Sequence, residues 1–162
     1  MVDGYIQRMT WISEYVGQLE ACLLDAFGKS CQYGRQPGAT ASLDGCGCDD
    51  ECGQWYVTVK QMYPFETFGV PTTSGACGTS LMADLVVGKV RCIEVPEEGE
   101  PPEHDVMVQA FDDQMADALA LYDLIVCCSP GKRFEVVAGI WTPYGPEGAC
   151  VGGEWAVQVA VK

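Results

Sequence analysis

The ten cysteines are the residues of this sequence best suited to chemistry, and three of them form the close pattern Cys46-x-Cys48-x3-Cys52. Thiolates at this density can hold a structural zinc ion, which takes four thiolate or imidazole ligands in a tetrahedral arrangement. The sequence lacks the paired Cys-x2-Cys knuckles of common zinc sites, so a fourth ligand would come from a distant residue. Disulfide bonds that fasten a loop to the sheet are the alternative that we favour, and free thiols are the third alternative. The candidates for such bonds are Cys46, Cys48, Cys52, Cys77 and Cys150.

The adjacent pair Cys127-Cys128 is a candidate for redox chemistry, which would make the protein a thiol oxidoreductase. A cysteine or serine nucleophile needs a base within hydrogen-bonding distance. The single histidine, His104, lies in a stretch rich in proline and glutamate that is expected to be an exposed turn. The sequence contains no phosphate-binding glycine loop and no zinc-protease motif. We therefore predict no catalytic residues, no cofactor and a protein that is not an enzyme.

Acidic residues dominate the charge, with 23 Asp and Glu against 9 Lys and Arg and a formal net charge of −14. This balance argues against specific nucleic-acid binding, which depends on Lys and Arg. No apolar stretch reaches the roughly 20 residues that a membrane span needs. The segment between Arg91 and Lys132 contains no Lys or Arg. Its acids predict a solvated face, or else a wall that repels DNA or a docking surface for a basic partner. The candidates for that face are Glu94, Glu97, Glu98, Glu100, Glu103, Asp105, Asp112 and Asp113.

Two amphipathic helices are predicted by apolar residues at spacings of three and four. The first covers residues 12–27, ends at Gly28 and includes Cys22, which is expected to be a core residue. The second covers about residues 105–127. Cys127 and Cys128 lie at its end, and one of these two cysteines is expected to be buried. On the second helix, the stripe expected to face the protein core consists of Met107, Phe111, Met115, Ala118, Leu119, Tyr122 and Val126.

Four strands are predicted by alternating or continuous apolar runs. They cover residues 55–63, where Pro64 ends the run, then 82–95 with a bulge or bend at Gly88, then 134–141 and 155–161. Residues 29–53 are rich in glycine and cysteine and predict a long loop. The order helix–strand–strand–helix–strand–strand predicts a single α+β domain over residues 1–162, in which two helices pack on a four-stranded, mostly antiparallel sheet.

A glycine- and proline-rich segment joins the last two strands, with a tryptophan at each foot. Such aromatic residues pack across strands, and an extended hairpin can also reach a neighbouring subunit. The candidates for subunit contacts are Trp141, Tyr144, Cys150 and Trp155.

Three segments of the sequence resemble small neck and tail proteins of long-tailed phages that infect actinobacteria. They are Gly53-Gln-Trp-Tyr-Val-Thr-Val59, Val87-Gly-Lys-Val-Arg-Cys92 and Trp141-Thr-Pro-x-Gly-Pro-x-Gly-x-Cys-x-Gly-Gly-Glu-Trp155, of which the last is the most specific. The resemblance covers roughly residues 10–162. The order of helices and strands is also similar to that of the tail terminator family, although the loop at 29–52 departs from it.

The resemblance implies a virion structural protein that forms a six-fold ring, caps the tail tube and presents a surface for head joining. The implied partners are copies of itself, the tail tube protein and head–tail connector proteins, with DNA passing through the ring. The implied location is the neck of the virion, after assembly in the host cytoplasm. The alternatives are a connector-stopper, another minor tail protein, or a monomeric binding module stabilised by zinc or disulfides.

Overall fold

The computed structural model describes residues 2–28, 32–38, 53–72, 79–96, 100–128 and 133–161, with side chains from residue 10 in the first range and from residue 34 in the second. The helices are α1 (Val2–Phe27) and α2 (His104–Cys127). The strands are β1 (Gln32–Gln36), β2 (Gln54–Thr67), β3 (Val70–Pro71), β4 (Ser80–Cys92), β5 (Phe134–Glu147) and β6 (Cys150–Val161).

Within the described residues the chain forms an α+β fold with two helices and one six-stranded sheet in the order β1-β2-β4-β6-β5, and β3 also pairs with β2. Every pairing is antiparallel except the parallel pairing of β1 with β2. The predicted α+β class and mostly antiparallel sheet are confirmed. The predicted number of four strands is wrong because β1 and β3 were not expected.

The two additional strands are short and lack the signals of a strand. Strand β1, Gln-Tyr-Gly-Arg-Gln, has no apolar alternation and lies inside the segment 29–53 that was predicted to be loop. Strand β3 contains only two residues, Val70 and Pro71. Both depend on pairing with β2, so neither could be identified from its own residues.

Strand β2 continues through Pro64, where the sequence predicts its end. The carbonyl of Pro64 accepts a hydrogen bond from the amide of Thr72 at 2.9 Å, on the side of β3. The N–H and C=O of a residue in an antiparallel pair point toward the same neighbour. The N–H that proline lacks would therefore point away from β4, and the β2–β4 ladder is not interrupted.

The last two strands form one long hairpin, and the segment expected to be a glycine- and proline-rich loop belongs to the strands themselves. The turn consists of Gly148 and Ala149. Pro143 and Pro146 lie in β5, which is an edge strand of the sheet and tolerates residues without an N–H. The pairing of β5 with β6 is interrupted by register shifts after Ala138 and after Tyr144.

Gly88 lies in regular register between Tyr56 of β2 and Glu154 of β6, so the predicted bulge at this position is wrong. A methyl group at residue 88 would overlap the ring of Tyr56. Glycine is needed here because the buried tyrosine ring lies directly against the backbone. The irregularity between β2 and β4 occurs instead between Val59 and Gln61.

The main core lies between the helices and one face of the sheet. The predicted stripe of α1 is confirmed in its central residues, which are buried in this core, whereas Ala26 near the end of the stripe is exposed. The helix begins ten residues earlier than predicted. The buried side chains of α1 are Trp11, Tyr15, Val16, Leu19 and Leu23.

A disulfide bond between Cys22 and Cys128 joins α1 to the end of α2. Their Cα atoms are 6.4 Å apart and the residues are separated by 106 positions in the chain. Cys22 is half-buried, so its expected role as an ordinary core residue is wrong. Cys127, next to Cys128, is exposed and carries a free thiol.

Candidate interaction surface

The most unusual surface of the described molecule is an exposed apolar line on α2, which we call the outer stripe. Leu119 and Phe111 are 68% and 59% exposed, whereas ordinary amphipathic helices turn such side chains inward. The predicted core-facing stripe of α2 is wrong for its large residues Phe111, Leu119, Tyr122 and Val126, which are exposed, whereas its Ala118 is buried as predicted. The outer stripe consists of Val108, Phe111, Met115, Leu119, Tyr122 and Val126, of which only Met115 is half-buried.

A second line of residues on α2 faces the sheet and α1 instead. It contains two large apolar side chains, Leu121 and Ile125, together with the small Ala110 and Ala118 and the charged Asp117. The inner line thus carries less apolar bulk than the outer stripe. Polar contacts have to supply part of the attachment of α2 to the sheet.

Asp117 is the centre of these polar contacts and is 5% exposed. Its carboxylate accepts a hydrogen bond from Lys89 Nζ at 2.8 Å and from Arg91 Nε at 2.5 Å, and both partners lie on β4. The ammonium of Lys89 also lies 4.2 Å from the ring centre of Phe27, at the end of α1. Burial lowers the pKa of Lys89 and the Asp117 contact opposes that shift. The same hydrogen bonding raises the pKa of Arg91.

Two side chains add hydrogen bonds between α2 and the β5–β6 hairpin. Gln114 donates to the carbonyl oxygens of Tyr144 and Gly152. Trp155 donates its indole N–H to the carbonyl of Ala118 at 2.8 Å. These bonds and the Asp117 contacts fix the rotation of α2, and this rotation keeps the outer stripe on the surface.

The aromatic residues at the foot of the hairpin continue the outer stripe onto the sheet. The ring of Tyr122 lies 5.4 Å from that of Trp155, which lies 5.7 Å from that of Trp141. On the same strand as Trp141, Ile140 is 76% exposed at the register shift of β5. The outer stripe is therefore continuous with the aromatic residues of the β5–β6 hairpin.

Acidic side chains line one flank of the outer stripe, and we call Asp105, Asp112 and Asp123 the acidic row. They are spaced by seven and eleven residues, so they lie along one side of the helix. All three are exposed. Within the described residues α2 carries no Lys or Arg beside this row, because the segment between Arg91 and Lys132 contains none.

The other face of the sheet has no helix on it within the described part of the chain, and its side chains are hydrogen-bonded to one another. The hydroxyls of Tyr56 and Tyr144 are 2.8 Å apart, and Tyr56 donates to Glu154 at 3.0 Å. Burial, with the Tyr144 contact, raises the pKa of Tyr56, and burial raises the pKa of Tyr144 to about 12. Farther along, Asp84 accepts hydrogen bonds from Gln61 at 2.6 Å, from Tyr63 at 3.0 Å and from Gln158 at 3.2 Å.

Most of the cysteine candidates lie outside the described residues, namely Cys46, Cys48, Cys52 and Cys77. Cys150 is disulfide-bonded, as is Cys92, which lies opposite it in the β4–β6 register. Among the side chains that the structure describes, no group of three or more His, Cys, Asp or Glu is arranged to hold a metal ion.

The four candidates for subunit contacts lie in the β5–β6 hairpin and are half-buried. Trp141 and Trp155 pack on each other and Tyr144 is bonded to Tyr56. Of the acidic candidates, Glu97 and Glu98 lie outside the described residues, and Asp113 is half-buried. The remaining ones are exposed: Glu94, Glu100, Glu103, Asp105 and Asp112.

Sequence reasoning missed the outward orientation of the larger apolar stripe. A signal was present, because Leu121, Leu124 and Ile125 form a second apolar line on the same predicted helix. A helix with two such lines has to be covered on two sides. The ion cluster of Asp117 and the Cys22–Cys128 bond could not be identified because both join residues that are distant in the chain.

None of the described helices is both long enough and apolar enough to cross a membrane. No protein-family model matches the chain, and no curated protein sequence matches it.

Proposed function

We propose that this protein is a structural component of the neck of a long-tailed phage, a tail terminator that caps the tail tube as a homomeric ring and presents a surface for head joining. The observation that carries the proposal is the outer stripe of α2, which leaves the larger apolar side chains of a well-anchored helix exposed. Exposed apolar surfaces of this kind mark sites of protein association. The three sequence segments that resemble phage neck proteins are the reason for proposing the phage neck as the assembly to which the protein belongs.

The edge of β5 supports contacts between copies. Within the described residues β5 pairs only with β6, so its 14 residues form one border of the sheet. An unpaired edge can add a strand or a loop from a neighbouring chain. The exposed Ile140 and Val137 add apolar area beside that edge. We assign the contact between copies to this border.

The proposal is tested first by the oligomeric state and the location of the protein. Mass photometry of the purified protein should give rings, and immunogold electron microscopy of phage particles should label the junction of head and tail. A protein that stays monomeric at all concentrations and is missing from purified particles would contradict the proposal. Labelling elsewhere on the tail would favour a minor tail protein, and zinc bound by a monomer would favour the binding module.

A surface variant tests the β5 edge. Ile140→Lys places a charge on the border of the sheet, and we expect it to abolish ring formation without lowering the melting temperature, because Ile140 is exposed. Ser13→Lys adds the same charge on the exposed part of α1 and is the matched control, expected to form rings normally. Rings of unchanged stability with Ile140→Lys would exclude this edge as the contact.

A further inference from the structure

We infer that the outer stripe of α2 is the docking site of a basic amphipathic helix from another protein chain. This inference deepens the proposed function and rests on it in one respect, because it expects the partner among the other components of the particle. It assigns the copy-to-copy contact and the partner contact to different surfaces.

The geometry of the outer stripe fits a helical partner. Its six residues follow one another in steps of three, four, four, three and four from Val108 to Val126. These 18 positions make five turns at 3.6 residues per turn, so the stripe runs straight along the helix for roughly 27 Å. A straight apolar line of this length is the counterpart that an amphipathic helix uses when it packs on another helix.

The charges around the outer stripe determine the chemistry of the partner. The acidic row follows one flank over nearly the whole length of the stripe, and the other flank meets the hairpin through Tyr122 and Trp155. A partner with acids on the facing flank would be repelled, whereas Lys or Arg there would gain from the aspartates. The occupant is therefore apolar on one side and basic along one edge.

A second copy of this chain is a poor occupant. Helix α2 of another copy would bring its own aspartates to the contact. The described bases of the chain are largely engaged internally: Arg35 pairs with Glu20 at 2.8 Å, and Arg133 pairs with Glu14 at 2.7 Å. Lys89 and Arg91 pair with Asp117. A different, basic protein fits the surface better.

The test uses two synthetic helical peptides as probes, measured by fluorescence polarisation against the full chain. Both peptides carry leucines at helical spacing; one has lysines along a single flank and the other has glutamates at the same positions. We expect the lysine peptide to bind at least about a hundredfold more tightly, since opposed like charges cost several kcal/mol. Equal binding of both peptides, or binding of neither, would overturn the inference.

Two variants locate the binding on α2. Leu119→Asp should weaken binding of the lysine peptide at least about tenfold, because it places a charge in the middle of the stripe. The double change Asp112→Lys and Asp123→Lys should reverse the preference, so that the glutamate peptide binds better. The matched control is Ser13→Lys, which should leave both affinities unchanged. An unchanged preference in the double variant would show that the acidic row does not face the partner.

Two further outcomes separate this inference from the proposed function. If Leu119→Asp disassembles the rings of the full chain, the outer stripe is a contact between copies and the inference fails, while the ring proposal stands. If the protein is missing from particles but binds the lysine peptide as described, the proposed function fails and the docking site stands.

Discussion

At the scale of single residues, Asp117 is the group on which the attachment of α2 depends most. Its single carboxylate pairs with a buried lysine and with an arginine that is 29% exposed, at distances of 2.5–2.8 Å. Removing one member of a buried ion cluster costs more than the cluster contributes, because the remaining charge stays buried without a partner. Asp117 therefore acts as a tether between α2 and β4.

Replacing Asp117 by asparagine tests this tether. We expect Asp117→Asn to lower the free energy of unfolding by about 3–5 kcal/mol, because Lys89 remains buried without a counter-charge. Urea unfolding followed by circular dichroism measures the change. Asp112→Asn, on the exposed part of the same helix, should change stability by less than about 0.5 kcal/mol. A loss of similar size in both variants would disprove the special role of Asp117.

Tyr56 predicts a specific dependence of stability on alkaline pH. Its pKa is raised in the folded state, so the folded protein holds the phenolic proton more tightly than the unfolded chain does. The resulting stability is present below about pH 10, the ordinary tyrosine pKa, and is lost as the pH rises above it. Tyr56→Phe should therefore flatten the fall in melting temperature between about pH 10 and pH 11. An equally steep fall in this variant would show that other groups cause it.

Two glycines predict opposite effects of the same substitution. Gly88→Ala should destabilise the protein by about 1–3 kcal/mol, because the methyl group overlaps the buried ring of Tyr56. Gly17 lies within α1 with open space around it, and Gly17→Ala should stabilise by roughly 0.5–1 kcal/mol. Thermal unfolding measures both, and a stabilising effect of Gly88→Ala would contradict the described contact.

At the scale of elements, the disulfide between α1 and α2 predicts how the helices stay together. The double variant Cys22→Ser and Cys128→Ser should lose about 2–4 kcal/mol of stability, because the unfolded chain regains the freedom of a long closed loop. Guanidinium unfolding under non-reducing conditions measures the loss. Cys127→Ser is the matched control and should leave stability unchanged, since this thiol is free and exposed. A loss as large in the control would point to a different pairing of these cysteines.

The sequence predicts the identity of the main elements well because their apolar periods are long and regular. Both helices and the four longer strands arise from such periods, and the burial of the central residues of the α1 stripe confirms the orientation predicted for that helix. Periodicity indicates that a face is apolar but not what covers it. For this reason α2 was placed with Phe111 and Leu119 inward, whereas the contacts of Asp117, Gln114 and Trp155 hold it in another rotation.

Long-range pairing explains the other differences between prediction and structure. Strand β1 exists through its partner β2, and the extension of β2 past Pro64 depends on a hydrogen bond from Thr72. The two apolar lines on α2 indicate that one of them is exposed. Which line faces the core depends on contacts with the sheet, which the sequence of the helix does not show. The acidic row, in contrast, is visible in the sequence as carboxylates without neighbouring bases.

At the scale of the whole molecule, the net charge of −14 predicts opposite effects of salt on the two proposed contacts. Copies repel one another, so the fraction of rings should rise between about 0.1 M and 1 M NaCl, where the Debye length falls from roughly 10 Å to roughly 3 Å. Binding of the lysine peptide should weaken over the same range because the attraction is screened. Mass photometry and fluorescence polarisation measure the two trends. Trends of the same sign would mean that one surface serves both contacts.

The bond between Cys22 and Cys128 also has a mechanical consequence. Tension applied between the two ends of the chain would enter through α1, cross the sulfur bridge and leave through β5 and β6. Strands β1 to β4 and all of α2 lie in the part of the chain that this bridge bypasses. Until the covalent link is cut, a subunit pulled from its ends could therefore lengthen only by extending the residues outside the bridge, because the chain between the two cysteines stays a closed loop.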